Sequence, residues 1–136
     1  MANLKPALKA TLGQEGIYSK DPDDTGGETF MGISRHNFPK WAGWSIIDAA
    51  KLKPGFPKIL TSNVTLNSMV EQFYNTEFWL KIGGDKLLNA KVAAQIFDSA
   101  VNMGIKAAIK MAQQSVGLSQ TGVMDIATIN ALNKVA

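Results

Sequence analysis

The chain has no cysteine, one histidine and one arginine. Without cysteine there is neither a disulfide framework nor a thiolate metal site. With His36 as the sole imidazole, a zinc centre would need carboxylates for most of its ligands, so no metal or other cofactor is expected. Direct base readout uses arginine above all, and Arg35 stands alone, so nucleic acid is not the expected partner. Long apolar runs are also missing, so no stable membrane insertion is expected. The opening stretch MANLKPALKATLGQ lacks a continuous apolar core and a small-residue cleavage site, and no signal peptide is expected.

What is present is an uneven charge. The net charge is +3, yet residues 15–28 gather Glu15, Asp21, Asp23, Asp24 and Glu28 against Lys20 alone. Those residues sum to −4 and the remainder to +7, with thirteen Lys/Arg against six Asp/Glu. A basic body favours approach to polyanions, among them an anionic cell-wall polymer. Length and an apolar fraction of 46% suit one folded domain over residues 1–136.

The apolar periodicity is helical. Leu4, Ala7, Leu8 and Leu12 share a face, with Pro6 in the first turn and Gly13 and Gly16 as terminators. Residues 19–33 read as loop and turn, with a short hairpin closing through Thr29-Phe30-Met31. A short helix is expected after Ser34, ending near Pro39, and another over Ile46–Leu52. Leu66, Met69, Val70, Phe73, Tyr74 and Phe78 form one stripe, broken by Gly83-Gly84. Val92, Ala93, Ile96, Phe97, Ala100 and Val101 form another, closed by Gly104. Ile105, Ala108, Ile109, Ala112 and Val116 make the next helix, and Asp125 caps a last one with Ile126, Ile129 and Leu132. The expected fold is mainly α, with a small loop or β-hairpin insertion near the N-terminus.

The acidic segment is not an EF-hand. Asp21, Asp23, Thr25 and Gly26 match its first half, but the twelfth position, which needs a bidentate Glu, is Gly32. Asp-Pro, Asp-Asp and Gly-Gly are ordinary turn formers, and turn chemistry accounts for Asp21, Asp23 and Glu28. Glu15 is different. A carboxylate at a helix C-terminus meets the negative end of the macrodipole. A neighbouring Asp23 or Asp24, and partial drying by Ile17 and Tyr18, act in the same direction and raise its pKa. A protonated Glu is the group that donates to a leaving glycosidic oxygen, with a second carboxylate acting on water or on an oxocarbenium-like centre. The pattern alone leaves an exposed helix-end Glu and a catalytic one both open.

These residues carry a resemblance. EGIYSKDPDDTGGETFMGIS (15–34) is similar to the signature of the N-acetylmuramidases of glycoside hydrolase family 108. Glu15, Gly16, Tyr18, Asp21-Pro22, Asp24, Gly26-Gly27, Thr29 and Gly32-Ile33 match it, and Ile17 stands where the family usually has a second Gly. FYNTEFW (73–79), IFDSAVNMG (96–104) and TGVMDIATINAL (121–132) resemble three further family blocks in the right order. The resemblance implies a lysozyme-like helical fold, with a catalytic part over residues 1–90 and a peptidoglycan-binding helical segment over 91–136 packed on it. It implies hydrolysis of the β-1,4 bond between N-acetylmuramic acid and N-acetylglucosamine in peptidoglycan glycan strands, after release or export to the wall, with Glu15 as general acid. Spacing is similar to the phage lysozyme arrangement of Glu, an acidic residue nine positions on, then Thr. Asp24 falls in the second place, and Thr29 stands one position before the third.

Further residues have a functional and a plainer role open to them. Tyr18 would pack on a sugar or lock Glu15, with a half-buried core tyrosine as the alternative. Trp41 and Trp44 are candidates to stack on sugar rings, whereas Trp79 follows a core stripe. Asp98 and Asn102, at i and i+4, are expected in a buried hydrogen-bond network beneath the cleft. The rival activities are a lytic transglycosylase, in which the muramic sugar's own hydroxyl replaces water, and a non-catalytic wall-binding or secretion-associated module.

Overall fold

The computed structural model describes residues 3–12, 18–20 and 27–135. Among them are six α-helices and one small antiparallel sheet, so the fold is mainly α. The chain divides into two compact units, Leu12–Gln72 and Met1–Thr11 with Phe73–Ala136.

The unit Leu12–Gln72 carries the sheet. Strands β1 (Tyr18–Lys20), β2 (Glu28–Phe30) and β3 (Ile33–Ser34) run in that order. The β2–β3 turn is Met31-Gly32, both at positive φ (49° and 80°), the geometry of a type I′ two-residue hairpin. Its register pairs Phe30 with Ile33 and Thr29 with Ser34. The expected helix after Ser34 does not form. Pro39 disfavours helical backbone at Phe38, and the segment folds as successive turns, with the Phe38 N–H donating to the Ser34 carbonyl and that of Trp41 to Phe38. Helix α2 (Gly43–Ala50) starts three residues before the expected Ile46. Gly43 is required there: a Cβ would lie 2.3 Å from the Trp41 ring. A 3₁₀ turn, Lys58–Ser62, packs on α2. Phe30, Ile33, Trp44, Ile47, Leu60, Leu66 and Val70 are the unit's buried apolar residues with the least exposure.

In the other unit, α1 (Leu4–Leu12) begins beneath Asn3, whose side chain accepts the Lys5 N–H. Helix α3 (Val64–Tyr74) spans the boundary between units, and a π-helical turn, Asn75–Trp79, follows it. That turn packs on α4 (Ala90–Met103) through an aromatic cluster: Tyr74 and Trp79 meet Phe97 edge-on at 6.1 and 5.9 Å between ring centroids. Trp79 is buried and its Nε1–H donates to Asp85 at 2.7 Å, as a core residue should. Helices α4 and α5 (Ile105–Ser115) are joined by Gly104 alone, at φ 99°. Helix α6 (Ile126–Lys134) starts at Asp125, whose carboxylate accepts from the Thr128 N–H and hydroxyl. Gln113 is almost fully buried and ties the preceding loop to α5 and α6. Its amide donates to Thr121 Oγ1, the Val123 carbonyl and Thr128 Oγ1, and its carbonyl accepts from Gly122 N–H. No helix of the described residues is long and apolar enough to cross a membrane.

Candidate functional site

Period-two alternation divides β2 between two faces. Glu28 and Phe30 are buried on one, and Thr29 is half-buried on the other. An acid at such a position must be paired, since an isolated buried carboxylate is far too costly. Three donors meet Glu28. The Tyr18 hydroxyl donates to Oε2 at 2.6 Å, Lys51 Nζ reaches the same oxygen at 2.6 Å, and Arg35 Nη1 donates to Oε1 at 2.9 Å. Tyr18 can do this because it pairs with Phe30 across β1–β2, which makes Glu28 its diagonal neighbour on the same face.

The cluster extends onto α2. Arg35 grips Asp48 with both ends of its guanidinium, and Lys51, one turn on, reaches Asp48 Oδ1 at 3.1 Å. The guanidinium lies over the Trp44 ring at 5.2 Å. Trp44 is itself fixed: it is buried, its indole N–H donates to the Phe38 carbonyl at 2.8 Å, and Trp41 meets it edge-on at 5.3 Å.

The electrostatics follow from this packing. Burial pushes the Glu28 carboxyl up, but hydrogen bonds from Lys51, Tyr18 and Arg35 together outweigh it, and the net shift is downward. Hydrogen bonds from Arg35 and then Lys51 hold Asp48 well below the usual carboxylate range. Burial, then the bond to the Glu28 anion, pushes the Tyr18 phenol up to about 12. Glu28 is therefore an ionised acceptor with both oxygens engaged, and Tyr18 a neutral donor. Neither is poised to exchange a proton near neutral pH. Among the described residues no group of three His, Asp or Glu side chains is placed to hold a metal.

A family model described as Glycosyl hydrolase 108 matches residues 8–104. The chain belongs to that family. A second model, described as "Putative peptidoglycan binding domain", matches residues 87–132. Among solved structures, one titled "Structure of Brucella abortus SagA" is similar at 31% identity with a TM-score of 0.65, over 96% of this chain and 68% of that one. The search of curated proteins returned no match. As a glycosyl hydrolase 108 member with a peptidoglycan-binding match, the chain is a peptidoglycan-active glycosidase or transglycosylase.

The candidate residues of this glycosyl hydrolase 108 chain fall into three groups. Glu15 and Asp24 lie outside the described residues. Tyr18, Trp41 and Trp44 come together around Glu28 and Arg35. The Tyr18 hydroxyl is engaged by Glu28 and its ring meets Phe56 edge-on at 4.9 Å. Trp44 is only 2% exposed, and Trp41, half-buried, is the more accessible of the two tryptophans. Thr29 lies on the opposite face of the same strand, between Ser19 and Ser34 across the register, so that three hydroxyl residues form a row. Asp98 and Asn102 belong to the other unit. Both are exposed rather than buried: Asp98 Oδ1 accepts from the Thr11 hydroxyl at 3.0 Å, and the Asn102 amide donates to the Asp98 carbonyl at 2.9 Å. Helical spacing placed this pair on one face, and that face looks to solvent.

Glu28, expected from the sequence in ordinary turn chemistry, is instead a buried residue of β2, and Arg35, Asp48 and Lys51 carried no expected role at the site. Two signals were available. Glu28 alternates with Phe30 in a strand whose inward face is buried, and Arg35 is the chain's single arginine, spaced to face it across a hairpin.

Proposed function

We propose that this chain is an N-acetylmuramidase, hydrolysing the β-1,4 bond between N-acetylmuramic acid and N-acetylglucosamine in peptidoglycan. The observation that carries this reading is the family match over residues 8–104, a span that includes the whole acidic segment and its hairpin. Glu15 is the general acid. It follows the last residue of α1, Leu12, by three positions in the sequence. It protonates the bridging oxygen as the glycosidic bond breaks. Asp24 stabilises positive charge at the sugar carbon or positions water, and Thr29 orients that water from the half-buried face of β2. Trp41 and Tyr18 border the sugar site, while Asp98 and Asn102 offer polar contacts to glycan or peptide. Residues 91–136 act as the wall-binding part, supported by the peptidoglycan-binding match over 87–132. The protein works at the cell wall, after release or export.

The test is turnover of purified peptidoglycan by Glu15→Gln, with mass spectrometry of the products made by the unaltered protein. Loss of turnover by the variant and reducing muramic ends in the products are expected. Undiminished hydrolysis removes Glu15 from the reaction. Products ending in 1,6-anhydro sugars would identify a lytic transglycosylase, and cosedimentation with the wall without sugar release a binding module.

A further inference from the structure

The Glu28 cluster is not needed for burial. A methionine or leucine at residue 28 would fill the same space without the desolvation cost of a carboxylate, and buried ion pairs seldom stabilise more than such a replacement does. Nor is Glu28 available for chemistry. Acting as base or nucleophile needs an oxygen with an open approach, and here three donors occupy the two oxygens.

Its place in the chain suggests another use. Strands β1 and β2 are three residues each, and their last register pair is Lys20 with Glu28. Residues 21–27 separate them in the sequence, and strands this short are marginal unless something besides their ladder holds them. Glu15 stands three residues before Tyr18 in the sequence, and Asp24 four before Glu28. The Tyr18–Glu28 bond thus joins two residues that stand close in the sequence to the two candidate carboxylates. Lys51 and Arg35, the latter braced by Asp48 and Trp44, fasten that junction to α2.

We propose that the Tyr18–Glu28 hydrogen bond, anchored by Lys51 and Arg35, is a clamp beside the acidic segment, and that Glu28 is a positioning residue for glycan cleavage. This rests on the reading that Glu15 and Asp24 perform the reaction. The charge serves orientation: three directed bonds fix the carboxylate, and through Tyr18 the start of β1, more tightly than apolar contact would. Small displacements of reacting groups have large effects on rate with little effect on binding.

The experiment compares Tyr18→Phe, Glu28→Gln and the double variant on soluble glycan fragments prepared from peptidoglycan, with kcat and KM separated. Folding is followed by near-ultraviolet circular dichroism, and amide hydrogen exchange is followed over residues 18–30. Each single variant is expected to lose on the order of tenfold or more in kcat, with KM within about twofold. Exchange in the hairpin should quicken. The double variant should be no slower than Glu28→Gln alone, because both changes break the same device. Unchanged kcat in folded Tyr18→Phe overturns the clamp, as does multiplication of the two losses. If Glu28→Gln fails to fold, Tyr18→Phe decides alone, since it leaves the ionic cluster in place. Failure of the catalytic assignment is read separately: Glu15→Gln would then stay active in the same assay, whatever residues 18 and 28 do.

Discussion

Arg35 closes both arms of its guanidinium on Asp48, Nη1 at 2.7 Å from Oδ1 and Nη2 at 2.8 Å from Oδ2. Nη1 serves Glu28 as well, and the flat cation covers Trp44. Lysine can match the charge but not the fork or the stacking. Arg35→Lys should therefore lower stability. Both partners of the Asp48 pair are partly solvated, so that pair is screened; with the lost Glu28 bond and stacking, the total is about 1–2 kcal/mol. The urea midpoint measures it. A midpoint equal to that of the unaltered chain would show that a point charge suffices.

The same cluster predicts acid sensitivity. The folded pKa values of Glu28 and Asp48 lie below their ordinary values of 4.5 and 3.8. Groups depressed in the folded state stabilise it fully above the ordinary value, and that stabilisation is lost as pH falls towards the folded one. Stability from these two groups should be flat from neutral pH to about 5 and decline below about 4. Glu28→Gln should start lower at neutral pH and lose less on acidification. Urea melts at a series of pH values give the comparison, and parallel curves for the two proteins would remove Glu28 from the account.

Gln113 predicts a fault in the other unit. Gln113→Leu keeps the volume but strips Gly122 N–H of its acceptor and takes the donor from Thr121, Val123 and Thr128. Loss of a buried network of this kind costs about 2–4 kcal/mol. Thermal unfolding should show it, and cosedimentation with peptidoglycan should weaken as the segment before α6 loosens. A change in melting temperature near zero would mean that water replaces the amide.

Thirteen lysines scattered over the chain predict salt dependence. The wall polymer is anionic through the free carboxylates of its peptide stems and of muramic lactyl groups that carry no stem, and exposed attractions fade as the Debye length shortens to about 8 Å at physiological ionic strength. Cleavage of whole peptidoglycan should slow as sodium chloride is raised. A rate independent of salt would separate the lysines from substrate capture.

The helices of the second half were legible because each carries its own punctuation: Gly104, Gly117 and Asp125 stand where α4 and α5 end and α6 begins, and the apolar residues keep a helical period between them. The hairpin was legible only in outline. Its turn is Met31-Gly32, and a methionine in the left-handed region is not the Asn or Asp that usually announces such a turn. The cluster around Glu28 was hidden for a different reason. Tyr18, Glu28, Arg35, Asp48 and Lys51 come from two strands, a turn and a helix, and no local period links them. Pairing of charges across the fold decides it, and that is a property of the packed chain.

Thr11, at the end of α1, donates to Asp98 on α4, and α1 is grouped with residues 73–136 rather than with the hairpin that follows it. The Thr11–Asp98 bond thus closes across 87 positions of sequence. A chain still emerging from the ribosome has α1 in hand but must wait for some sixty residues of the other unit to pass before the partners of α1 arrive. Cutting the gene after α3 would accordingly part α1 from its partner on α4. The two pieces should recover structure only by fragment complementation, with the amino-terminal piece lending its first helix to the other.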